Sequence, residues 1–229
     1  AAFVLATGVA CTTGQPGAAF ADADCLLLAV KPQKAAEAVR ALPPRQGAGP
    51  LVISIAAGVP ISRLQQWFGT TRVIRVMPNT PLLVGQGASV YARGPGADAA
   101  DGATCERIFG SLGICREVPE PWVDAVTALS GSGPAYIFEL VQALADAGES
   151  VGLPPGLALE LTVQTVAGAA EMLRQKQGTP DELRQAVTSP GGTTAAGLAV
   201  LESSGFRALI QRTVRAAWDR AGELGRAQS

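Results

Sequence analysis

Residues 51–81 read LVISIAAGVPISRLQQWFGTTRVIRVMPNTP, and this stretch decides the fold. Two short apolar runs, LVISI (51–55) and VIRVM (73–77), flank PISRLQQWF, which reads as a helix. Short runs rich in Val, Ile and Leu suit strands buried on both faces. Their alternation with helices suits a parallel sheet. The pattern extends outward to CLLLAV (25–30), ASVYA (88–92) and ICREV (114–118). QKAAEAVRAL and a stretch over roughly 98–112 supply further helices.

After Pro121 the strand pattern stops. Apolar residues at 137, 140, 141, 144, 147 and 151 form a helical stripe, ended by Gly152 and Pro154. A second helix is expected from about 155 to 177, stopped by Gly178. TPDE then reads as a capping box: Thr179 caps, Pro180 takes the first helical position and Glu182 reaches back. FRALIQRTVRAAWDRAGEL closes the chain as an amphipathic helix. An α/β half is thus followed by an all-helical half. Helices this apolar need a partner, so oligomerisation is expected through the second half.

Composition narrows the function classes. The chain has 229 residues, 48% hydrophobic and 16% charged, enough for a large core in one or two domains. A net charge of −1 gives no basic footprint for nucleic acid. No apolar run approaches the roughly 18 residues of a membrane span. LELTVQTVAGAAEML is interrupted by Glu160, Gln164 and Glu171. Cysteines 11, 25, 105 and 115 have no CxxC spacing, and no histidine exists to complete a zinc site, so no metal is expected. Cys25 reads as a small core hydrophobe. The cysteine usage suits a reducing cytoplasm. The absence of histidine excludes a Ser–His–Asp triad, a Cys–His dyad and HExxH chemistry.

Ligands of open α/β sheets bind beyond the carboxyl ends of the strands. Three such ends are unusual here. They are Ala29-Val30-Lys31-Pro32, the small-residue turn Ile55-Ala56-Ala57-Gly58, and Val76–Pro81, which presents Asn79 and Thr80 between prolines. Each alone also fits ordinary turn chemistry. LSGSGPAYIF (129–138) reads as a helix start, either a serine cap or an anion cradle. No lysine follows as in a P-loop, so an NTPase is excluded. SPGGTTAAGLAVLE (189–202) is a second glycine-opened helix start. It fits either a threonine cap or a bare-backbone site for an anion. Glu120, between two prolines, reads by itself as a solvated linker charge.

Taken together, AVKPQ, ISIAAGV, RVMPNTP, DAVTALSGSGPAYIFELVQALADAG, VGLP and SPGGTTAAGLAVLE resemble the pyrroline-5-carboxylate reductase family. The resemblance covers nearly all of residues 8–226. It implies a Rossmann-like dinucleotide-binding domain over 1–119 and a helical substrate-binding and dimerisation domain over 120–229. It implies an oxidoreductase of proline biosynthesis, with NADPH (or NADH) delivering hydride to the imine carbon of 1-pyrroline-5-carboxylate to give L-proline. The active site of such proteins lies between the domains, and they form dimers and often larger rings of dimers.

By resemblance, the amides of Gly192, Thr193 and Thr194 hold the substrate carboxylate, and the Thr194 hydroxyl contacts the ring nitrogen. Glu120 matches a family carboxylate near the substrate. Ala29, Val30, Lys31, Pro32, Ala56, Ala57, Gly58 and Asn79 line the cofactor side, with Lys31 acting through its backbone. The Ser130–Pro134 turn packs near the nicotinamide end. A protonated imine accepts hydride well, so no histidine acid is needed.

The family pattern normally opens with a strand, a GxGxxA turn and a helix that hold the pyrophosphate. Residues 1–13 join that pattern only near a later strand. Gly14–Gly17 has the wrong spacing, and Pro16 falls where relatives often carry an asparagine. About one strand–helix–strand unit is therefore expected upstream, on the scale of a ~30-residue βαβ unit. Two other readings remain. One is a related NAD(P)-dependent imine or hydroxy-acid reductase, although residues 135–150 lack the lysine that hydroxy-acid dehydrogenases of this plan use. The other is a non-catalytic helical dimerisation module.

Overall fold

A computed structural model describes residues 20, 23–43 and 49–227. The Gly14–Gly17 turn, Pro16, Cys11 and residues 1–13 lie outside them. The chain divides into two compact units: Ala1–Gly131 with Ala217–Ser229, and Ser132–Ala216.

In the first unit the described residues form one five-stranded sheet, in the order β1 (Cys25–Leu28), β2 (Leu51–Ser54), β3 (Val73–Met77), β4 (Gly87–Arg93), β5 (Gly113–Glu117). β1, β2 and β3 are mutually parallel. β4 runs antiparallel to β3, and β5 parallel to β4. The reversal follows from chain length. Residues 78–86 are too few for a parallel crossover, which needs about a dozen or more. A 3₁₀ turn over Thr80–Val84 makes the connection instead.

Helices cover both faces. Val52 and Val73 point to one side, where α1 (Pro32–Arg40) and α2 (Ile61–Phe68) bring Ala35, Val39 and Leu64. Leu51, Ile53, Ile74 and Val76 alternate to the other side and pack on Cys105 and Phe109 of α3 (Ala99–Gly110). The period-2 alternation thus feeds two cores from one sheet. Each fully buried Leu or Ile contributes roughly 1.5–3 kcal/mol. α3 opens with a capping box, in which Asp98 accepts from the Asp101 amide at 2.9 Å. Arg72 grips Asp101 through Nε and Nη2, and this holds the aspartate below the usual carboxylate range. β5 starts on Gly113, whose φ of 143° lies against the backbone of Gly87 on β4.

From β5 the chain enters a 3₁₀ turn (Glu120–Trp122), α4 (Val123–Val126), a π turn (Thr127–Gly131) and α5 (Gly133–Ser150). The second unit continues with α6 (Pro155–Arg174), α7 (Pro180–Ala186), α8 (Thr193–Ser203) and the first part of α9 (Phe206–Ala227). α5 and α6 meet through small residues: a Cβ on Gly148 would lie 3.2 Å from Cβ of Ala158. The Thr179 capping box forms as read, with Glu182 N–H donating to Thr179 Oγ1 at 3.3 Å and Thr179 N–H to Glu182 Oε2 at 2.8 Å. Phe138, Leu161 and Val200 are half exposed or more on this unit. Apolar side chains repeated along several helices are the mark of a surface built for a partner. No helix among the described residues is long and apolar enough to cross a membrane.

Candidate active site

The three unusual strand ends fall on one edge of the sheet. Because β1, β2 and β3 are parallel, Ala29–Pro32, Ile55–Gly58 and Pro78–Asn79 all leave it at the carboxyl side. Ala29, Val30, Lys31 and Ala57 are exposed there, and Gly58 and Asn79 are half-buried. Ala56 is buried, and its methyl belongs to the core between β2 and the helices. It keeps the turn close to the sheet rather than presenting a surface. Lys31 is the N-cap of α1, and its carbonyl accepts the Lys34 amide at 2.8 Å. Its backbone is therefore built into the helix start. Gly58 (φ 74°) lies beside Leu224 and Gly225 of α9, and a Cβ there would sit 3.5 Å from Cβ of Leu224. A cavity of about 340 Å³, lined by Val39, Trp67 and Phe68, opens beside Pro50 and Thr70 instead. It lies at the amino ends of β2 and β3, the edge that α/β sheets do not use for ligands.

Glu120 is anchored, not a solvated linker charge. Its Oε1 accepts the Ile61 amide at 2.7 Å, at the first turn of α2, and faces Arg75 Nη1 at 3.4 Å. A carboxylate there offsets unpaired amides and the positive end of the helix. Arg75 sits on β3, only 7% exposed, and its Nη2 donates to Asp124 at 3.0 Å. Sequence reading missed Arg75 and Asp124. The available signal was a cation inside the apolar run VIRVM, which a buried strand tolerates only when paired.

The SGSGP segment is not a free helix start. The chain is helical before it, and the π turn over Thr127–Gly131 leads into α5. Ser130 Oγ turns back to the Val126 carbonyl at 3.2 Å and caps nothing. Asn79 reaches this turn: Nδ2 donates to the Ser130 carbonyl at 3.1 Å, and Oδ1 accepts the Ala88 amide at 2.8 Å.

The second glycine-opened start is genuine. Gly192 is the N-cap of α8 with no side-chain cap, so neither threonine caps it. Gly191 takes φ 70°, a left-handed turn that glycine enters without steric cost. The Gly192 amide, expected with those of Thr193 and Thr194 at the substrate carboxylate, instead donates to the Ser189 carbonyl at 3.1 Å, and the first bond into the helix comes from Ala196 N–H. The amides of Thr193 and Thr194 precede that bond and point out of the helix end. Thr193 is exposed and Thr194 half-buried.

A curated pyrroline-5-carboxylate reductase of Arabidopsis thaliana is 47% identical over 203 residues, covering 89% of this chain and 74% of that protein. The chain belongs to the pyrroline-5-carboxylate reductase family. Residues 120–224 match the family described as pyrroline-5-carboxylate reductase dimerisation, and residues 1–58 match that described as NADP oxidoreductase, coenzyme F420-dependent. A pyrroline-5-carboxylate reductase structure from Coxiella burnetii superposes with a TM-score of 0.87 at 38% identity, covering 97% of this chain and 83% of that one. The Plasmodium falciparum pyrroline carboxylate reductase, solved with NADP bound, gives 0.81 at 35% identity over 88% and 77%. Against this reductase family, the carboxyl edge of β1–β3 fits the cofactor-binding edge of a Rossmann-like sheet, and the helical unit falls within the dimerisation match.

Proposed function

We propose that this protein reduces 1-pyrroline-5-carboxylate to L-proline with NADPH or NADH, as a cytoplasmic homodimer that can assemble into a ring of dimers. The observation that carries the reading is the uncapped start of α8. The substrate is a small ring bearing a carboxylate, and bare amides at a helix start can hold such an anion without a charged side chain. The Thr193 and Thr194 amides, with the helix dipole behind them, supply such a site.

Gly192 contributes by having no side chain, since a Cβ there would collide with Ser189. The Thr194 hydroxyl contacts the ring nitrogen and fixes which face of the imine is presented. Glu120 places negative charge that favours the iminium form, and Arg75 and the Ile61 amide hold it in position. A bound nicotinamide would supply the hydride. Ala29–Pro32, Ala57, Gly58 and Asn79 would form the strand-end surface that holds the cofactor, with Ala56 packed in the core behind it. Orientation provides much of the rate, because the iminium carbon is already electrophilic.

A substrate profile tests the reading. With NADPH as the common reductant, turnover of 1-pyrroline-5-carboxylate is expected to exceed that of 2-oxo acids by a wide margin. Preference for a 2-oxo acid would move the protein to the hydroxy-acid reductases. Turnover of neither would favour the dimerisation module.

A further inference from the structure

We infer that Asn79 is a positioning residue of the reductase, holding the Thr127–Gly131 π turn against the carboxyl end of β3 by standing in for the amide that Pro134 lacks. The inference rests on the reductase reading above. The carbonyl of residue i accepts the amide of residue i+4 in an α-helix and of i+5 in a π turn. For Ser130 these are Pro134, which has no N–H to offer, and Ala135, whose amide donates to the Ser132 carbonyl at 3.0 Å. The Asn79 amide occupies that carbonyl at 3.1 Å, while its oxygen takes the Ala88 amide. One side chain therefore ties the strand end, the start of β4 and the π turn together.

The neighbouring residues of β3 support the same role. Arg75, Met77 and Asn79 are spaced two apart. Each touches the segment from Glu120 to Gly131. Arg75 pairs with Glu120 and Asp124. The Met77 methyl packs where a Cβ on Gly131 would lie within 2.5 Å. Met77 also packs on the cluster of Ile61, Ala92 and Val123. π turns in helices concentrate at functional sites, and this one lies at the ligand-binding edge of the sheet. With its oxygen and one amide hydrogen engaged inside the protein, the Asn79 side chain acts on the cofactor edge mainly by shaping it.

The test is a double-mutant cycle on the full chain. Asn79→Ala should lower kcat/KM for the imine at least 10-fold, mostly in kcat. A Pro134→Ala background supplies an amide at the α-helical partner position of the Ser130 carbonyl, and there the same substitution should cost 3-fold or less. Asn79→Asp, which keeps the bond to Ala88 but loses the donor, should show the same coupling if the alanine variant does not fold. The unfolding midpoint should be non-additive as well, and it reads the bond without any substrate. Equal loss in both backgrounds would overturn the inference, as would coupling in the midpoint with none in the rate. An inactive parent enzyme would count against the reductase reading, and the midpoint cycle would still decide whether Asn79 and Pro134 are coupled.

Discussion

Replacing Thr194 by alanine is expected to lower kcat/KM for 1-pyrroline-5-carboxylate by about 5- to 150-fold, equivalent to roughly 1–3 kcal/mol for one hydroxyl contact. The affinity for NADPH, read by cofactor fluorescence, should hardly change. The reason is the position of the residue in its helix. Threonines inside the helices turn their hydroxyls onto the carbonyl four residues back, as Thr165 does to Leu161 and Thr213 to Leu209. Thr194 is the second residue of α8, so the residue four back, Pro190, lies outside the helix. The backbone that would consume its hydroxyl is absent, and the group is available to a ligand beside the amides. A loss shared equally by imine and cofactor would place Thr194 in the fold rather than at the substrate.

Gly113→Ala should cause the largest loss of stability, roughly 3–5 kcal/mol. The residue combines two requirements that only glycine meets. Its φ of 143° lies in a region that L side chains rarely enter. A Cβ there would also collide with the backbone of Gly87 across the β4–β5 ladder. Backbone cannot rotate away as a flexible side chain can, so β5 must shift or lose pairing. Urea unfolding should show a lower midpoint for the first unit. An unfolding free energy within about 0.5 kcal/mol of the parent would mean that the β5 start has another accessible conformation.

Much of this molecule is legible in the sequence because its strands are short apolar runs separated by helix punctuation. The five runs fall on the five described strands, and the Thr179 box forms as written. Strand direction was less accessible. β4 reverses because its link to β3 is short, a signal present in the spacing but masked by the βαβ rhythm around it. The SGSGP segment misled for a physical reason. Two glycines and a proline read as a break, whereas the chain passes through a π turn into α5, and the Asn79 side chain, just past β3, meets the Ser130 carbonyl. Local sequence cannot show a partner 51 residues away. Glu120 is similar: alone between prolines it looks solvated, and only the folded sheet brings Arg75 and the Ile61 amide to it.

The most direct measurement is the stoichiometry of NADPH oxidation with 1-pyrroline-5-carboxylate, followed at 340 nm (a property of the dihydronicotinamide) with the product analysed by chiral chromatography. One L-proline should form for each NADPH consumed. Oxidation without proline, or no oxidation at any imine concentration, would contradict the reductase reading.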